Sequence, residues 1–205
     1  ARRIVEGDTR TRSSKWGPWA PFGFLGSEVT GKILGIIGLG QIGKQVARRA
    51  QGFRMPILYH NRKRIAEDEE LQLGAKYVDL KTLLKESDFI SIHVLLNDQT
   101  RGLIGANELG LMKPSAFLIN VSRGPVINEN DLVEALKKRK IAGAALDVYE
   151  NEPKLAEGLA ELDNTVLTPH IGSATMETRF AMAKLAVKNL KAGLSAQRPP
   201  SCLNC

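Results

Sequence analysis

Hydrophobic positions along the chain fall into short continuous runs that alternate with segments of helical periodicity. Continuous apolar runs suit strands that are covered on both faces, as in a parallel sheet. The runs predict strands at 32–37, 55–59, 76–78, 89–94, 116–120, 141–148 and 165–167. The helical periods predict helices at 41–51, 65–73, 80–86, 106–112, 131–138 and 174–194. Strands and helices that alternate through short connections are typical of an α/β fold with a doubly wound parallel sheet.

The first 30 residues lie outside this alternation. Residues 1–8 have the character of a helix end and the chain does not begin with Met, so we expect it to be part of a longer protein. Residues 16–22 combine aromatic side chains with glycine and proline, and neither helical nor strand periodicity covers them. Such a segment is predicted to form an extended arm, and exposed aromatics in an arm favour a surface for a partner.

Composition excludes several classes of protein. Hydrophobic residues make up 43% and charged residues 25% of the 205 positions, which argues against a disordered chain or a coiled coil. No apolar run is long enough to predict a transmembrane helix. The formal charge of +7 suits an anionic ligand, but aromatics are only 5% and are not interleaved with the basic residues, so we expect no nucleic acid partner.

The two cysteines, Cys202 and Cys205, lie at the end of the chain. Without cysteines in the body of the chain, a disulfide scaffold is excluded and a reducing cytoplasm is favoured. Their spacing resembles half of a metal site, but two further ligands are missing nearby, so we predict no metal.

A glycine-rich loop, Gly38-Leu39-Gly40-Gln41-Ile42-Gly43, connects the first predicted strand to the first full helix of the alternation. In a dinucleotide-binding loop, the first glycine permits a tight turn, the second lets the backbone approach a pyrophosphate, and the third allows close packing of helix and strand. The helix end adds free N–H groups and a positive dipole end. This context predicts a Rossmann-type dinucleotide site.

Cations occupy the end of the second predicted strand, where an NAD site carries Asp or Glu for the ribose 2′-hydroxyl. The chain has Asn61, Arg62, Lys63 and Arg64 at this point. Arg62 can form charge-assisted hydrogen bonds with a 2′-phosphate. We therefore expect NADP(H) to be preferred, with NAD(H) as the alternative cofactor.

Reactive side chains follow the last three predicted strands, in the segments 120–124, 146–153 and 168–173. The carboxyl ends of parallel strands meet at one edge, where ligands bind. An arginine such as Arg123 can hold a substrate carboxylate, and a protonated imidazole such as His170 can donate to a carbonyl as hydride arrives. A nearby carboxylate raises the pKa of the imidazole and fixes its tautomer. This set predicts the reduction of a 2-oxo acid.

These motifs resemble the nucleotide-binding domain of the D-isomer-specific 2-hydroxyacid dehydrogenases, and most of all the glyoxylate/hydroxypyruvate reductase branch. The ordered set Asn-Val-Ser-Arg-Gly, Leu-Asp-Val-(x)3-Glu-Pro and Pro-His-Ile-Gly-Ser carries the resemblance, which extends from Arg3 to about residue 200. It implies that Arg123 binds the substrate carboxylate and that His170 is the acid/base, paired with Glu152. Glu150 competes for that pairing, but the Glu-Pro context favours Glu152.

The resemblance also implies contacts with the cofactor. Asp147 would bind the nicotinamide carboxamide, while Val121 and Ser122 would contact the ring region through their backbone. Leu95, Leu96 and Thr100 would flank the adenosine side, and His93 is expected to be packed rather than catalytic. The predicted cofactor-binding residues are Gly38, Leu39, Gly40, Gln41, Ile42, Gly43, Asn61, Arg62, Lys63, Leu95, Thr100, Val121, Ser122, Asp147 and Gly172.

Family members dimerise through this domain, so the resemblance implies a homodimer in which Trp16 or Trp19 enters the partner's substrate pocket. The predicted organisation is a helix end and dimerisation arm at 1–30, an NAD(P)-binding domain at 31–173, and a helix and tail at 174–205. That tail would return toward a substrate lobe built mainly from an N-terminal segment absent from this chain. We therefore expect nucleotide binding without turnover by this chain alone.

The sequence favours an enzyme that reduces glyoxylate or hydroxypyruvate with NADPH to the 2-hydroxy acid. The basic end of the second strand matches NADP-using reductases rather than NAD-using phosphoglycerate dehydrogenases, which are the first alternative. The second alternative is a dinucleotide-sensing corepressor, since such proteins resemble the same family. No acidic or disordered interaction tail accompanies the site residues to favour it.

Overall fold

Seven strands pair in parallel to form one sheet in the computed structural model, which describes residues 1–202. They are β1 (Leu34–Ile37), β2 (Ile57–His60), β3 (Ala75–Tyr77), β4 (Phe89–Ile92), β5 (Phe117–Asn120), β6 (Gly143–Leu146) and β7 (Thr165–Leu167). Their order, β3-β2-β1-β4-β5-β6-β7, changes direction between β1 and β4. Ligands bind at such a switch point, outside the carboxyl ends of the strands. The predicted Rossmann-type parallel sheet is confirmed.

Most helices connect consecutive strands. They are α1 (Ile4–Arg12), α2 (Gln41–Ala50), α3 (Glu67–Leu73), α4 (Leu80–Glu86), α5 (Ala106–Leu111), α6 (Glu129–Lys137) and α7 (Met176–Leu194). Asp79 caps α4 by accepting a hydrogen bond from the Thr82 amide at 2.9 Å, and Asn128 caps α6 in the same way. Such caps satisfy N–H groups that have no partner inside the helix. The Asn128 cap explains why α6 begins two residues before its predicted start.

The core consists of two hydrophobic clusters. The first, around Ile36 and Tyr59, joins β1–β3 to α2 and α3. The second, around Ile92, Leu118 and Leu136, joins the other strands to α4, α5 and α6. Side chains such as Tyr59 and Ile92 are completely buried, and full burial of a large apolar side chain contributes about 1.5–3 kcal/mol.

The described residues divide into two compact units, residues 1–169 and a second unit that begins at His170. The second unit contains α7, whose side chains include Phe180, Leu190 and other exposed apolar groups. Within residues 1–202, no helix is long and apolar enough to span a membrane. Cys205 lies outside the described residues.

The N-terminal segment contains the helix α1 at Ile4–Arg12, which lies later in the chain than the helix end predicted at residues 1–8. α1 is stabilised at its surface by ion pairs of Arg3 with Glu6 and of Arg12 with Asp8. The arm that follows has no regular structure over residues 15–20, and its Trp16 and Trp19 are 62% and 86% exposed.

The exits of β5 and β6 are in direct backbone contact. Gly124, just beyond β5, lies against the Tyr149 carbonyl in the loop after β6. A Cβ atom on Gly124 would lie well inside 3.0 Å of that carbonyl, a distance that real Cβ atoms essentially never reach. The loops that carry Arg123 and Glu152 therefore have a fixed relative position.

We expect Gly124→Ala to destabilise the domain by about 3 kcal/mol or more, because the added methyl group must displace backbone rather than a flexible side chain. In thermal unfolding this corresponds to a Tm lower by about 6 °C or more for a chain of this size. Gly110→Ala is the matched control, since its methyl group would meet nothing within 4 Å. Equal Tm values for the two variants would contradict the proposed backbone contact.

Candidate functional site

The glycine loop lies at the switch point of the sheet. Gly38 has φ +99°, and a Cβ atom there would lie 2.8 Å from backbone atoms of His93 and Val94, which follow β4. A Cβ on Gly43 would lie within 3.0 Å of the Gly38 carbonyl oxygen, so α2 starts directly against the loop. These two positions require glycine for close backbone packing.

The start of α2 is open to an anion. Gly40, its N-terminal flanking residue, provides no side-chain cap and has open space where a Cβ atom would be. Gln41 and Ile42 are exposed in the first turn. Uncapped N–H groups and the positive end of the helix dipole form an anion site, so the residues present fit a dinucleotide pyrophosphate.

Asn61 connects the end of β2 to the glycine loop. Its Oδ1 accepts a hydrogen bond from the Leu39 amide at 2.6 Å, and its carbonyl accepts one from the Tyr77 hydroxyl at 3.2 Å. The next three residues, Arg62, Lys63 and Arg64, are all exposed, and Arg64 also forms an ion pair with Glu70 of α3. The three successive cations thus have different environments.

The exit of β5 is a tight turn organised by Asn120, which is 1% exposed. Its Oδ1 accepts hydrogen bonds from the amide and hydroxyl of Ser122, and its Nδ2 donates to the Arg123 carbonyl at 2.9 Å. The Arg123 guanidinium donates to the Ser122 carbonyl at 2.6 Å, and Val121 is exposed. Sequence analysis found the arginine but not this role of the buried asparagine.

The exits of β6 and β7 are joined by Asp147, which is buried and accepts a hydrogen bond from the Thr168 hydroxyl at 2.6 Å. Two residues along, Tyr149 donates from its hydroxyl to the Thr168 carbonyl at 2.9 Å. Glu152 accepts a hydrogen bond from the Tyr149 amide at 3.1 Å. Asp147, which is predicted to bind the nicotinamide, and Glu152, which is predicted to pair with His170, therefore lie on one loop held by hydrogen bonds.

Glu129 at the start of α6 is a buried carboxylate that sequence analysis missed. Only 3% exposed, it accepts a hydrogen bond from the Glu150 amide at 2.6 Å. Burial is the largest cause that raises its pKa, and the charges of Glu150 and Glu152 raise it further. An acidic residue near a helix start is common in sequences, so only the tertiary structure identifies Glu129 as an anchor of the loop after β6.

His170 follows β7 by three residues and is the first residue of the second unit. It is exposed and has φ +53°, a left-handed conformation that is uncommon for residues other than glycine. Gly172 lies in the turn between His170 and α7.

The exit of β4 carries the residues predicted to flank adenosine. Leu95 is 84% exposed, Leu96 is half-buried, and the Thr100 hydroxyl donates to the Leu95 carbonyl at 2.6 Å. His93 is half-buried with Nε2 2.8 Å from the Ser91 hydroxyl, and burial lowers its pKa. These contacts agree with a packed role for His93.

A cavity of about 660 Å³ lies along β4–β7, from the amino ends of these strands to mid-strand residues such as Ile119 and Ala145. Its lining includes Phe117, Val166 and residues of the N-terminal segment, and Arg139 and Asp163 there form an ion pair with each other. Residues 1–202 contain no cluster of side chains that could hold a metal ion. The uncapped helix start and the reactive side chains of the first unit lie instead at the carboxyl edge.

Comparison with known proteins identifies relatives that have this type of domain. The family model of the D-isomer specific 2-hydroxyacid dehydrogenase NAD binding domain matches residues 1–172. A glyoxylate reductase of Thermococcus litoralis is 54% identical over the whole chain, which spans 62% of that protein's length. The crystal structure of a glyoxylate reductase from Paecilomyes thermophila is 42% identical, with a TM-score of 0.85 over 94% of this chain and 57% of its own.

A third relative was crystallised with NAD. The D-isomer specific 2-hydroxyacid dehydrogenase of Lactobacillus delbrueckii ssp. bulgaricus is 29% identical, with a TM-score of 0.84 over 99% of this chain and 65% of its own. The family model covers well over half of the chain, and the fold of these relatives matches the seven-stranded parallel sheet. The chain belongs to the D-isomer-specific 2-hydroxyacid dehydrogenase family and contains its NAD-binding domain.

Proposed function

We propose that this chain is the nucleotide-binding part of an NADPH-dependent enzyme that reduces glyoxylate or hydroxypyruvate to the 2-hydroxy acid. The observation that carries the cofactor choice is the end of β2, where Arg62 and Lys63 are exposed beside the glycine loop and no acid stands at the ribose position. A guanidinium matches the geometry and charge of a phosphate, whereas an NAD site needs an acceptor for a ribose hydroxyl.

The proposed chemistry uses Arg123, His170 and Glu152. When bound, NADPH supplies a hydride to the carbonyl carbon of the substrate. Arg123 binds the substrate carboxylate and polarises the carbonyl, while the imidazolium of His170 donates its proton to the carbonyl oxygen. Glu152 is the carboxylate proposed to act together with His170 as the acid/base pair. Asp147 binds the carboxamide of the nicotinamide.

We also propose a homodimer and a cytoplasmic location. Exposed tryptophans in the arm, Trp16 and Trp19, support a partner surface, because large aromatic side chains are enriched in protein interfaces. The absence of cysteine from residues 1–201 suits a reducing compartment. Analytical ultracentrifugation of the chain and of a Trp16→Ser/Trp19→Ser variant tests the dimer, which the variant should weaken.

Cofactor preference is tested by titration calorimetry with NADPH and NADH. We expect wild-type chain to bind NADPH at least tenfold more tightly, about 1.4 kcal/mol, and Arg62→Ala to remove most of this difference. Lys140→Ala is the control, because Lys140 is an exposed cation at the amino edge of the sheet. Tighter binding of NADH by wild type would favour an NAD-using dehydrogenase such as phosphoglycerate dehydrogenase instead.

The role of His170 is tested in a protein that carries this chain together with a substrate-binding lobe. We expect His170→Gln to lower kcat with glyoxylate and NADPH by about a hundredfold or more, because the general acid is lost. His93→Gln is the control, since His93 is hydrogen-bonded to Ser91, and it should keep kcat within about threefold. Wild-type turnover in the His170 variant would exclude the proposed acid, and dinucleotide binding with no turnover by wild type would favour a sensor.

A further inference from the structure

Three successive cations follow β2, and all three are exposed, but Arg64 alone of them is held in an ion pair within residues 1–202. Arg64 forms a two-point contact with Glu70: Nε donates to Oε1 at 2.8 Å and Nη2 donates to Oε2 at 2.6 Å. Within residues 1–202, no ion pair involves Arg62 or Lys63. The charge of Arg64 is therefore the one already neutralised by the protein.

Glu70 holds Arg64 from a buried position. It is 7% exposed, and the hydroxyl of Tyr59, itself completely buried, donates a hydrogen bond to the same carboxylate. The two-point contact with Arg64 is the main cause that lowers the pKa of Glu70, to about 2, so the carboxylate is charged throughout the physiological range. A phosphate bound to Arg64 would lie close to this negative charge, which opposes such binding.

The same buried pair fixes the loop on which all three cations stand. The Tyr59 hydroxyl accepts a hydrogen bond from the Ile65 amide at 3.1 Å, immediately after Arg64. At the other end, Asn61 is bound to the Leu39 amide of the glycine loop. The loop 61–65 is thus held at both ends, and Arg62 and Lys63 lie between the two attachments.

We propose that Arg64 is a positioning residue for the 2′-phosphate site: with Glu70 and Tyr59 it fixes the loop 61–65, while Arg62 and Lys63 bind the phosphate. This inference rests on the NADPH preference proposed above. It divides three adjacent cations into one that shapes the site and two that select the cofactor. Fixing the loop in advance lowers the ordering cost of binding, which favours the dinucleotide that contacts Arg62 and Lys63.

The decisive variant is Glu70→Gln, measured by calorimetry with NADPH and NADH. It keeps the shape of the side chain but removes the charge that holds Arg64, so we expect NADPH to bind about three- to tenfold more weakly and NADH to change by less than twofold. Glu67→Gln is the control, since it removes one charge from an exposed position of the same helix. It should leave both affinities within twofold of wild type.

The opposite outcomes overturn the proposal. If Glu70→Gln binds NADPH more tightly, the released Arg64 itself binds the phosphate. If both affinities are unchanged while Tm falls, the contacts among Arg64, Glu70 and Tyr59 have only a structural role. If wild type binds NADPH and NADH equally, the proposed cofactor preference is wrong, and the inference that rests on it is wrong as well. If wild type clearly prefers NADPH and either of the first two outcomes is observed, only the inference about Arg64 is refuted.

Arg64→Lys provides a second variant if Glu70→Gln does not fold. Lysine keeps the positive charge but cannot form the two-point contact with Glu70. A positioning role predicts weaker NADPH binding by about threefold or more in this variant. Retention of wild-type NADPH affinity would contradict it, because a lysine can still serve as a point charge for a phosphate.

Discussion

The close backbone packing at the carboxyl end of β1 is the constraint on which the candidate site depends. β1 lies between β2 and β4, so the exits of all three strands meet around Gly38. A side chain at Gly38 would strike the backbone at residues 93–94 and force the exit of β4 away from the loop. Because Leu39 next to it donates to Asn61, the same movement would displace the loop that carries the cations. The proposed anion site at α2 and the proposed cofactor-selecting loop after β2 therefore depend on one backbone contact.

Two buried carboxylates fix the positions of loops along the carboxyl edge of the sheet. A buried charge is costly unless it is paired or hydrogen-bonded, so each such group strongly constrains the atoms around it. Glu70 is satisfied by Arg64 and Tyr59, which fixes the loop after β2. Glu129 is satisfied by the Glu150 amide, which fixes the loop after β6. In both cases a carboxylate from a helix orders a segment that follows a strand, and the segment carries the residues proposed to meet the ligand.

Most of the fold follows from local sequence patterns. The apolar runs located every strand, and α4 occupies its predicted range of 80–86 because Asp79 supplies its cap. The run at 141–148 predicted a longer strand than β6, whose pairing is limited by the short partners β5 and β7. The reactive residues of the first unit could be assigned to strand exits because parallel strands end at one edge. The sequence pattern could not distinguish the role of Arg64 from the roles of Arg62 and Lys63. The environment of Arg64 depends on the side chain of Glu70, which the packing of α3 brings close.

The two anchored loops belong to different halves of the domain. Glu70 and Tyr59 stand with β1–β3, and Tyr59 packs in the first core cluster. The loop after β6 stands with the other half, where Tyr149 and Leu132 pack in the second cluster. The contacts described around Glu70 and those described around Glu129 share no residue. Substitutions at sites without shared partners usually have additive effects on the free energy of unfolding. A change in the loop after β2, which we propose selects between NADPH and NADH, can thus leave the geometry of the loops that carry Arg123 and Glu152 unchanged. The proposed cofactor selectivity and the proposed reaction chemistry are separable in this fold because the loop that carries each is held by its own buried carboxylate.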